Sequence, residues 1–206
     1  MELSEIKRRM QTGELYFCND EDLMKEQVAR LDKVFAYNQL PPSKYAEKQA
    51  LLKELFAAIG EDCYIETPFY ANWGGKHVRF GKGVYANFGL TLVDDGAIEV
   101  GDYVLFAPHV TLATASHPIH PELRAHQAQY NLPIRIGNNV WLGTGCAVMP
   151  GVTIGDNTVV GAGSVVTRDL PANVVAAGVP CRVLRPITDD DRRQYDHGRP
   201  INLTLE

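Results

Sequence analysis

The 206-residue sequence has no excess of positive charge, no long apolar run and no closely spaced cysteine pair. Its 20 Lys and Arg are outnumbered by 25 Asp and Glu, which argues against a general nucleic-acid-binding protein. No apolar run approaches the ~20 residues of a membrane-spanning helix, so we expect no membrane association. The N-terminus lacks the apolar segment of a secretory signal, and the cysteines are scattered as Cys18, Cys63, Cys146 and Cys181. We therefore expect reduced thiols and a cytoplasmic protein.

Several common catalytic signatures are also missing. The sequence contains no P-loop, no GxSxG, no HExxH and no dinucleotide-binding glycine motif. Hydrophobic residues nevertheless make up 45% and charged residues 22%, so the chain is able to form a buried core and wholesale disorder is excluded. Any active site must therefore be built from other residues.

Residues 1–60 have a helical pattern. The second of three predicted helices begins at Asp20 or Asp22 and is stopped by Pro41-Pro42. Apolar residues with a helical period predict its buried face: Leu23, Val28, Leu31, Val34 and Phe35. A third helix is predicted to end at Gly60. The sequence leaves open whether this N-terminal region only caps the following domain or contributes to the active site.

A repeat of six residues replaces the helical period after about residue 61. Aliphatic residues recur at every sixth position over six hexads, at Ile136, Leu142, Val148, Ile154, Val160 and Val166. A small residue, most often glycine, follows most of them. This period predicts a parallel β-helix with three short faces and ~18 residues per coil. We assign it to residues 61–185, and residues 186–206 to a charged C-terminal tail or short helix.

The hexads are interrupted over residues 117–133, which we expect to form an extruded loop. His117 lies where the coil ends and the loop begins. A histidine held by a rigid scaffold and open to solvent is suited to act as a general base, although an inert loop histidine is the alternative. Asn87, Asp94 and Asp95 lie in earlier coils, where turn formation alone also explains them.

Three arginines, Arg168, Arg182 and Arg185, are clustered near the end of the repeat. Because guanidinium groups match phosphate geometry, this cluster is able to bind a phosphorylated ligand.

The chain resembles the galactoside and maltose O-acetyltransferases of the hexapeptide-repeat acyltransferase family. The resemblance covers nearly the whole chain, through GELYFCND, YANFGLTLVDD, TASHPIHPELR and the block from IGNNVWLGTGCAV to VVAAGVPCRV. It implies a mainly β fold, a left-handed parallel β-helix with an N-terminal helical region and an extruded loop. It also implies a homotrimer whose active sites lie between neighbouring subunits.

The resemblance implies acetyl transfer from acetyl-CoA to a hydroxyl of a sugar of the galactoside or maltose/glucose type, without a metal. His117 matches the catalytic histidine, and Asn87 matches an asparagine that contacts the acceptor and helps to stabilise the transition state. The other implied acceptor contacts are Cys18, Asn72, Asp95 and Gln129. The implied contacts to acetyl-CoA are Thr144, Ala162, Thr167, Arg168, Arg182 and Arg185.

Two residues depart from the galactoside enzymes. Cys18 replaces an acceptor-binding aspartate and Asn72 replaces a serine, which puts the identity of the acceptor in doubt. The alternatives are an antibiotic, serine or other small-alcohol acetyltransferase on the same fold and a non-catalytic scaffold. A metal-dependent lyase of the carbonic-anhydrase type would need a zinc site, for which His117, His120 and His126 are the available ligands.

Overall fold

The computed structural model describes residues 1–203. The α-helices of residues 1–203 lie in the N-terminal region and in the loop between two coils: α1 (Leu3–Thr12), α2 (Glu21–Gln39), α3 (Tyr45–Leu55) and α4 (Pro121–Ala125). One short strand, β1 (Tyr16–Phe17), lies between α1 and α2. The rest of the described chain is built mainly from short strands.

Fifteen of these strands wind into five coils of three strands each. The coils are β2 (Ala58–Ile59), β3 (Tyr64–Ile65) and β4 (Tyr70–Ala71); β5 (Val78–Phe80), β6 (Tyr85–Ala86) and β7 (Thr91–Val93); β8 (Ile98–Val100), β9 (Leu105–Phe106) and β10 (Thr111–Ala113); β13 (Ile134–Ile136), β14 (Trp141–Leu142) and β15 (Ala147–Val148); β16 (Thr153–Ile154), β17 (Val159–Val160) and β18 (Val165–Val166). The molecule is a mainly β, parallel β-helix, as the hexads predict.

Parallel pairing between coils produces three flat faces. Face one is β2-β5-β8-β13-β16, face two begins β3-β6-β9-β14-β17, and face three is β4-β7-β10-β15-β18. A partial sixth turn follows, in which Leu170 bridges to Ile154. There β19 (Val174–Gly178) joins face two and pairs with β20 (Cys181–Pro186) in an antiparallel hairpin. The β-helix therefore ends in a sheet edge covered by the chain itself.

The predicted repeat sets the register from the fourth coil onward. Ile136 pairs with Ile154, Leu142 with Val160 and Val148 with Val166, and all of these side chains are buried. The aliphatic residue of each hexad therefore points into the helix, and each lies directly above its equivalent in the next coil. Asparagines occupy corners of these coils, since Asn139 and Asn157 have φ of 55° and 60°, a conformation that asparagine tolerates.

The extruded loop is an ordered substructure inserted between the third and fourth coils. It contains β11 (Ala115–Ser116), α4 and β12 (Ala128–Asn131). β12 pairs antiparallel with β11 on one side and with β1 on the other. The N-terminal segment is thus tied to the loop by a small sheet of its own.

The third N-terminal helix ends earlier than predicted. α3 stops at Leu55, and β2 already pairs with Arg79–Phe80 of the second coil. A Cβ atom on Gly60 would lie 2.5 Å from the Gly81 carbonyl oxygen, so Gly60 is a tight corner of the β-helix and does not terminate a helix. The Asp20 cap of α2 is confirmed, because its carboxylate accepts hydrogen bonds from the N–H groups of Asp22 and Leu23.

The predicted buried face of α2 is only partly correct. Leu23 and Val34 are buried, but Val28, Leu31 and Phe35 are 54%, 40% and 67% exposed. The helix packs through Tyr37, whose hydroxyl donates to the Ile65 carbonyl at 2.7 Å. Helical period alone does not reveal which part of a wide apolar stripe meets the rest of the chain.

The C-terminal segment contains a four-residue 3₁₀ helix (Asp189–Arg192) and a small hairpin of β21 (Gln194–Tyr195) and β22 (Arg199–Pro200). The predicted tail extends to residue 206, and its last three residues lie outside the described part. None of the helices within residues 1–203 is long and apolar enough to cross a membrane.

The alternation along β16 generates a stability prediction. Ile154 is buried and Thr153 is exposed on face one. Ile154→Ala should lower the free energy of unfolding by about 2–5 kcal/mol, because it removes buried methyl groups and leaves a cavity. Thr153→Ala, the matched control, should change it by less than ~0.5 kcal/mol. Chemical denaturation at fixed protein concentration measures both, and equal losses would contradict the assigned orientation of the strand.

Candidate active site

Four of the predicted acceptor contacts line one cavity of about 90 Å³: Cys18, Asn72, Asp95 and Gln129. These residues come from three parts of the chain. Cys18 follows β1, Asn72 and Asp95 follow face-three strands of the first and second coils, and Gln129 lies in β12. The N-terminal region therefore lines this cavity in addition to capping the β-helix.

Asp95 is the polar centre of the cavity. It is 5% exposed, and its carboxylate accepts hydrogen bonds from three side chains. Asn72 Nδ2 lies 2.8 Å from Oδ2, while Gln129 Nε2 and Trp73 Nε1 lie 3.0 and 3.3 Å from Oδ1. A buried carboxylate held by neutral donors keeps a fixed orientation and retains lone pairs for a ligand.

Sequence reasoning missed three residues of this network, Tyr16, Trp73 and Asn131. The Tyr16 hydroxyl lies 2.5 Å from Gln129 Nε2 and 3.1 Å from Asn131 Nδ2, and Asn131 Nδ2 also donates to the Met10 carbonyl at 3.0 Å. Buried Tyr and Trp side chains usually find partners for their polar tips. That tendency is a signal, but the sequence does not say which partners they find.

Asp94 supports the cavity from behind. Its carboxylate accepts hydrogen bonds from the backbone N–H groups of Trp73 at 2.6 Å and Gly75 at 2.9 Å. Burial raises the pKa of Asp94 to about 6, against the opposing effect of these two N–H donors. Asp94 thus fixes the turn that carries Trp73, as its interpretation as a turn residue predicts.

The Cys18 side chain is a hydrogen-bond donor at this wall of the cavity. Its Sγ lies 3.3 Å from the Gln127 carbonyl oxygen. Burial raises the pKa of the Cys18 thiol, so the neutral form is favoured at neutral pH. A thiol is a weak hydrogen-bond partner, whereas Asp95 supplies a carboxylate to the cavity.

His117 follows β11 and is exposed. Its Nδ1 lies 2.7 Å from the Ala128 carbonyl oxygen. Because a carbonyl only accepts, this contact assigns the proton to Nδ1 and leaves Nε2 with a lone pair. The strand that supplies Gln129 to the cavity therefore also orients the histidine ring.

Asn87 lies at the corner between faces two and three, directly after β6. Its side-chain Oδ1 accepts a hydrogen bond from the Phe88 N–H at 2.8 Å. Within residues 1–203, no hydrogen bond joins Asn87 to His117 or joins either residue to a side chain of the acceptor cavity. The structure therefore gathers four of the predicted acceptor contacts in one cavity, while His117 and Asn87 each bind a backbone group elsewhere in the described chain.

Thr144 and Ala162 occupy the same corner as Asn87, further along the β-helix. The Gly163 N–H donates to the Thr144 carbonyl at 2.8 Å, and the two predicted contacts lie in consecutive coils. With ~4.8 Å per coil, Thr144 lies about 10 Å and Ala162 about 14 Å from the level of Asn87. Thr167 and Arg168 follow β18 at the opposite edge of face three.

The remaining predicted arginines lie in β20, beyond the last complete coil. Arg182 Nη1 donates to the Cys181 carbonyl at 2.8 Å. Arg185 instead forms a two-pronged ion pair with Asp191, at 2.7 Å for both contacts. The arginine cluster is thus at the C-terminal end of the β-helix, beside the last coils.

The proposed zinc ligands do not meet in the chain. His117 Nδ1 faces the Ala128 carbonyl and His126 Nδ1 lies 2.9 Å from the Glu122 carbonyl. Over residues 1–203 there is no group of three His, Cys, Asp or Glu side chains able to hold a metal ion. The geometry therefore gives the lyase alternative no support.

Comparison with known proteins places this architecture in a family. Residues 9–60 match the maltose acetyltransferase hexapeptide capping motif, and residues 133–168 match the bacterial transferase hexapeptide of six repeats. The galactoside O-acetyltransferase of Lactococcus lactis subsp. lactis is 54% identical over 97% of this chain and 96% of its own.

Two solved structures are also similar. A galactoside acetyltransferase in complex with coenzyme A is 44% identical, with a TM-score of 0.92 over 98% of this chain and all of that one. A maltose O-acetyltransferase from Clostridium difficile is 39% identical, with a TM-score of 0.86 over 89% of this chain and 97% of that one. The fold and these matches define a hexapeptide-repeat acyltransferase. Within that class, the chain belongs to the family of galactoside and maltose O-acetyltransferases.

Proposed function

We propose that this enzyme transfers the acetyl group of acetyl-CoA to a hydroxyl of a sugar of the galactoside or maltose/glucose type. The observation that carries the proposal is the cavity in which Asp95 is held by Asn72, Trp73 and Gln129. The similar galactoside acetyltransferase structure with bound coenzyme A supports acetyl-CoA as the co-substrate. The four free cysteines support a place in the reducing cytoplasm.

The cavity is suited to the hydroxyl edge of a sugar. A carboxylate accepts several hydrogen bonds, and sugar hydroxyls donate them. About 90 Å³ is enough for a few hydroxyl groups but too little for a whole pyranose, so the ring must extend outward. With a thiol at Cys18 in place of a second carboxylate, we expect loose selectivity and a high KM for the sugar.

His117 is proposed as the general base. A sugar hydroxyl is a poor nucleophile near pH 7, and Nε2 would take its proton as the oxygen attacks the thioester carbonyl. When the tetrahedral intermediate collapses, the C–S bond breaks and the histidinium returns the proton to the CoA thiolate. General-base assistance of this kind contributes ~10²–10⁴-fold. The Nδ1–H···O contact to Ala128 supports this role because it keeps the ring in the required tautomer.

The corner of the β-helix that carries Asn87, Thr144 and Ala162 would supply the oxyanion donor and contacts to both substrates. The developing oxyanion needs a fixed donor, which typically contributes ~10²–10³-fold. The Gly145 N–H is occupied by the Pro108 carbonyl at 2.9 Å, so we assign this role to the backbone N–H of Thr144. Asn87, whose amide nitrogen is not used by the Phe88 contact, positions the acceptor. Ala162 would lie along the pantetheine arm, and Thr167, Arg168, Arg182 and Arg185 around the nucleotide.

We also propose that the enzyme is a homotrimer with its active sites between subunits. Face one exposes the charged residues Arg79, Glu99 and Arg135, whereas face two exposes an apolar ladder. In that ladder Tyr85 is 37%, Leu105 47% and Trp141 50% exposed. Contiguous exposed apolar surface of this kind marks an interface. The position of the active sites between subunits is proposed from the resemblance to the galactoside and maltose O-acetyltransferases.

A panel of acceptors tests the proposed function. We expect acetyl-CoA-dependent acetylation of a galactoside, a thiogalactoside, glucose or maltose, because the cavity offers a carboxylate to ring hydroxyls. Thiol release measures CoA, and mass spectrometry identifies the product. Chloramphenicol is the matched alternative acceptor. Acetylation of chloramphenicol alone would overturn the sugar assignment and favour an antibiotic acetyltransferase on the same fold.

The role of His117 gives a second prediction. His117→Ala should lower kcat by at least ~10²-fold while leaving the affinity for acetyl-CoA nearly unchanged, because the imidazole acts mainly in the transition state. His126→Ala, another exposed histidine of the same loop, is the control and should retain activity. Steady-state kinetics with both substrates measures the split, and a fully active His117→Ala enzyme would remove this residue from the mechanism.

The apolar ladder on face two gives a prediction about the assembly of the enzyme. Leu105→Glu should convert the trimer to a monomer, because burying a charge in an apolar interface is costly. Ala58→Glu, on charged face one beside Arg79, should leave assembly intact. Sedimentation at micromolar concentration distinguishes these outcomes. A wild-type protein that sediments as a stable monomer would refute the proposed assembly.

A further inference from the structure

Arg185, one of the predicted contacts to CoA, is already bound by a carboxylate of the same chain. Its Nη1 and Nη2 atoms donate to Asp191 Oδ2 and Oδ1, both at 2.7 Å. The pair is accessible to solvent, with 51% of the arginine and 33% of the aspartate side chain exposed. The guanidinium edge that would recognise an anion is therefore filled, but by a group that water and ligands are able to reach.

Asp191 is held in place by more than the arginine. It lies in the 3₁₀ helix Asp189–Arg192, and its Oδ2 also accepts the Thr188 N–H at 2.9 Å. Arg185 is the main reason that the pKa of Asp191 falls to about 2, so the carboxylate stays ionised at neutral pH. The C-terminal segment thus presents a fixed negative charge to one arginine of β20.

A carboxylate and a phosphate are alternative ligands for the same guanidinium edge. Both present two oxygens that match the paired N–H groups of arginine, and the phosphate carries more charge. Arg185 Nη1 also donates to the Pro186 carbonyl at 3.0 Å. Arg182 differs, because its side chain donates to the Cys181 carbonyl and to no carboxylate of the described residues. Of the two arginines in β20, only Arg185 has its guanidinium edge occupied by a carboxylate of the described chain, that of Asp191.

We propose that Asp191 occupies the phosphate position of Arg185 in the free enzyme and is displaced by a phosphate of acetyl-CoA. Asp191 would then set the affinity for the co-substrate by competing with it. This inference rests on the proposed function, which assigns Arg185 to the nucleotide phosphates.

Asp191→Asn tests the competition. The asparagine keeps a carbonyl oxygen for the Thr188 N–H but lacks the charge that binds Arg185. Exposed ion pairs are weak, so the KM for acetyl-CoA and the Kd for CoA should fall about two- to fivefold, with kcat unchanged. Asp190→Asn is the matched control: it removes the same charge from the same helix, but Asp190 pairs with Arg193 at 3.7 Å. It should leave both constants unchanged.

A double-mutant cycle completes the test. In an Arg185→Ala background, Asp191→Asn should have no further effect on the Kd for CoA, measured by calorimetry. A higher Kd in Asp191→Asn alone would overturn the proposal and make Asp191 a positioning residue for Arg185. An equal fall of the Kd for CoA in Asp190→Asn would also overturn it, because the effect would then come from the overall charge of the segment and not from the Arg185 pair.

The cycle also separates this proposal from the proposed function. If Arg185→Ala binds CoA as the wild type does, the competition is refuted while acetyl transfer survives through the other phosphate contacts. If the wild-type enzyme does not bind CoA at all, the proposed function itself fails.

Discussion

Stacking of each coil on the next, at the hydrogen-bonding distance of parallel strands, is the constraint on which the rest of the structure depends. It places Leu142 directly above Val160 and forces small residues into the corners. A Cβ atom on Gly143 would lie 2.6 Å from the backbone nitrogen of Ala162. Because the corners cannot spread, the column that carries Asn87, Thr144 and Ala162 is a rigid edge on which an extended ligand is able to lie.

The cavity around Asp95, proposed to bind the acceptor, is built on a different principle. It depends on pairings between residues far apart in sequence, such as Tyr16 with Gln129. The same strand, β12, supplies Gln129 to the cavity and the Ala128 carbonyl to His117. The proposed acceptor contacts and the proposed base therefore share one support, while the proposed co-substrate contacts Thr144 and Ala162 are supported by the repeat. A substitution in β1 should therefore affect binding of the acceptor and leave binding of the co-substrate intact.

The parts of the structure that the sequence predicts are those built by the repeat, and not those built by contacts between distant segments. The hexads from Ile136 onward predicted the coils, because the aliphatic pattern arises from contacts that recur with the repeat. The resemblance to a known family, and not the spacing, carried the expectation of a left-handed turn.

The failures lie where distant segments meet. Gly60 was interpreted as a helix end, because a corner residue and a helix terminator have the same local preference for glycine. Tyr16, Trp73 and Asn131 carry no repeat that would reveal their shared network. The partner of Arg185 lies in a tail whose charges alone suggested only a solvated surface. The exposure of Val28, Leu31 and Phe35 on α2 likewise depends on which side of the helix packs against the rest of the chain.

The insertion between the third and fourth coils has a further consequence. Although the chain leaves the β-helix after Ala113 and returns at Ile134, the flanking coils pair directly, Leu112 beside Val148. The pairing of the coils therefore does not depend on the insert, and an insert of another length or sequence would leave the coils in register. In evolutionary terms the loop is a separable module. If the cavity binds the acceptor as proposed, a change of acceptor would require replacing the loop and its partner strand β1 and no compensating change in the coils.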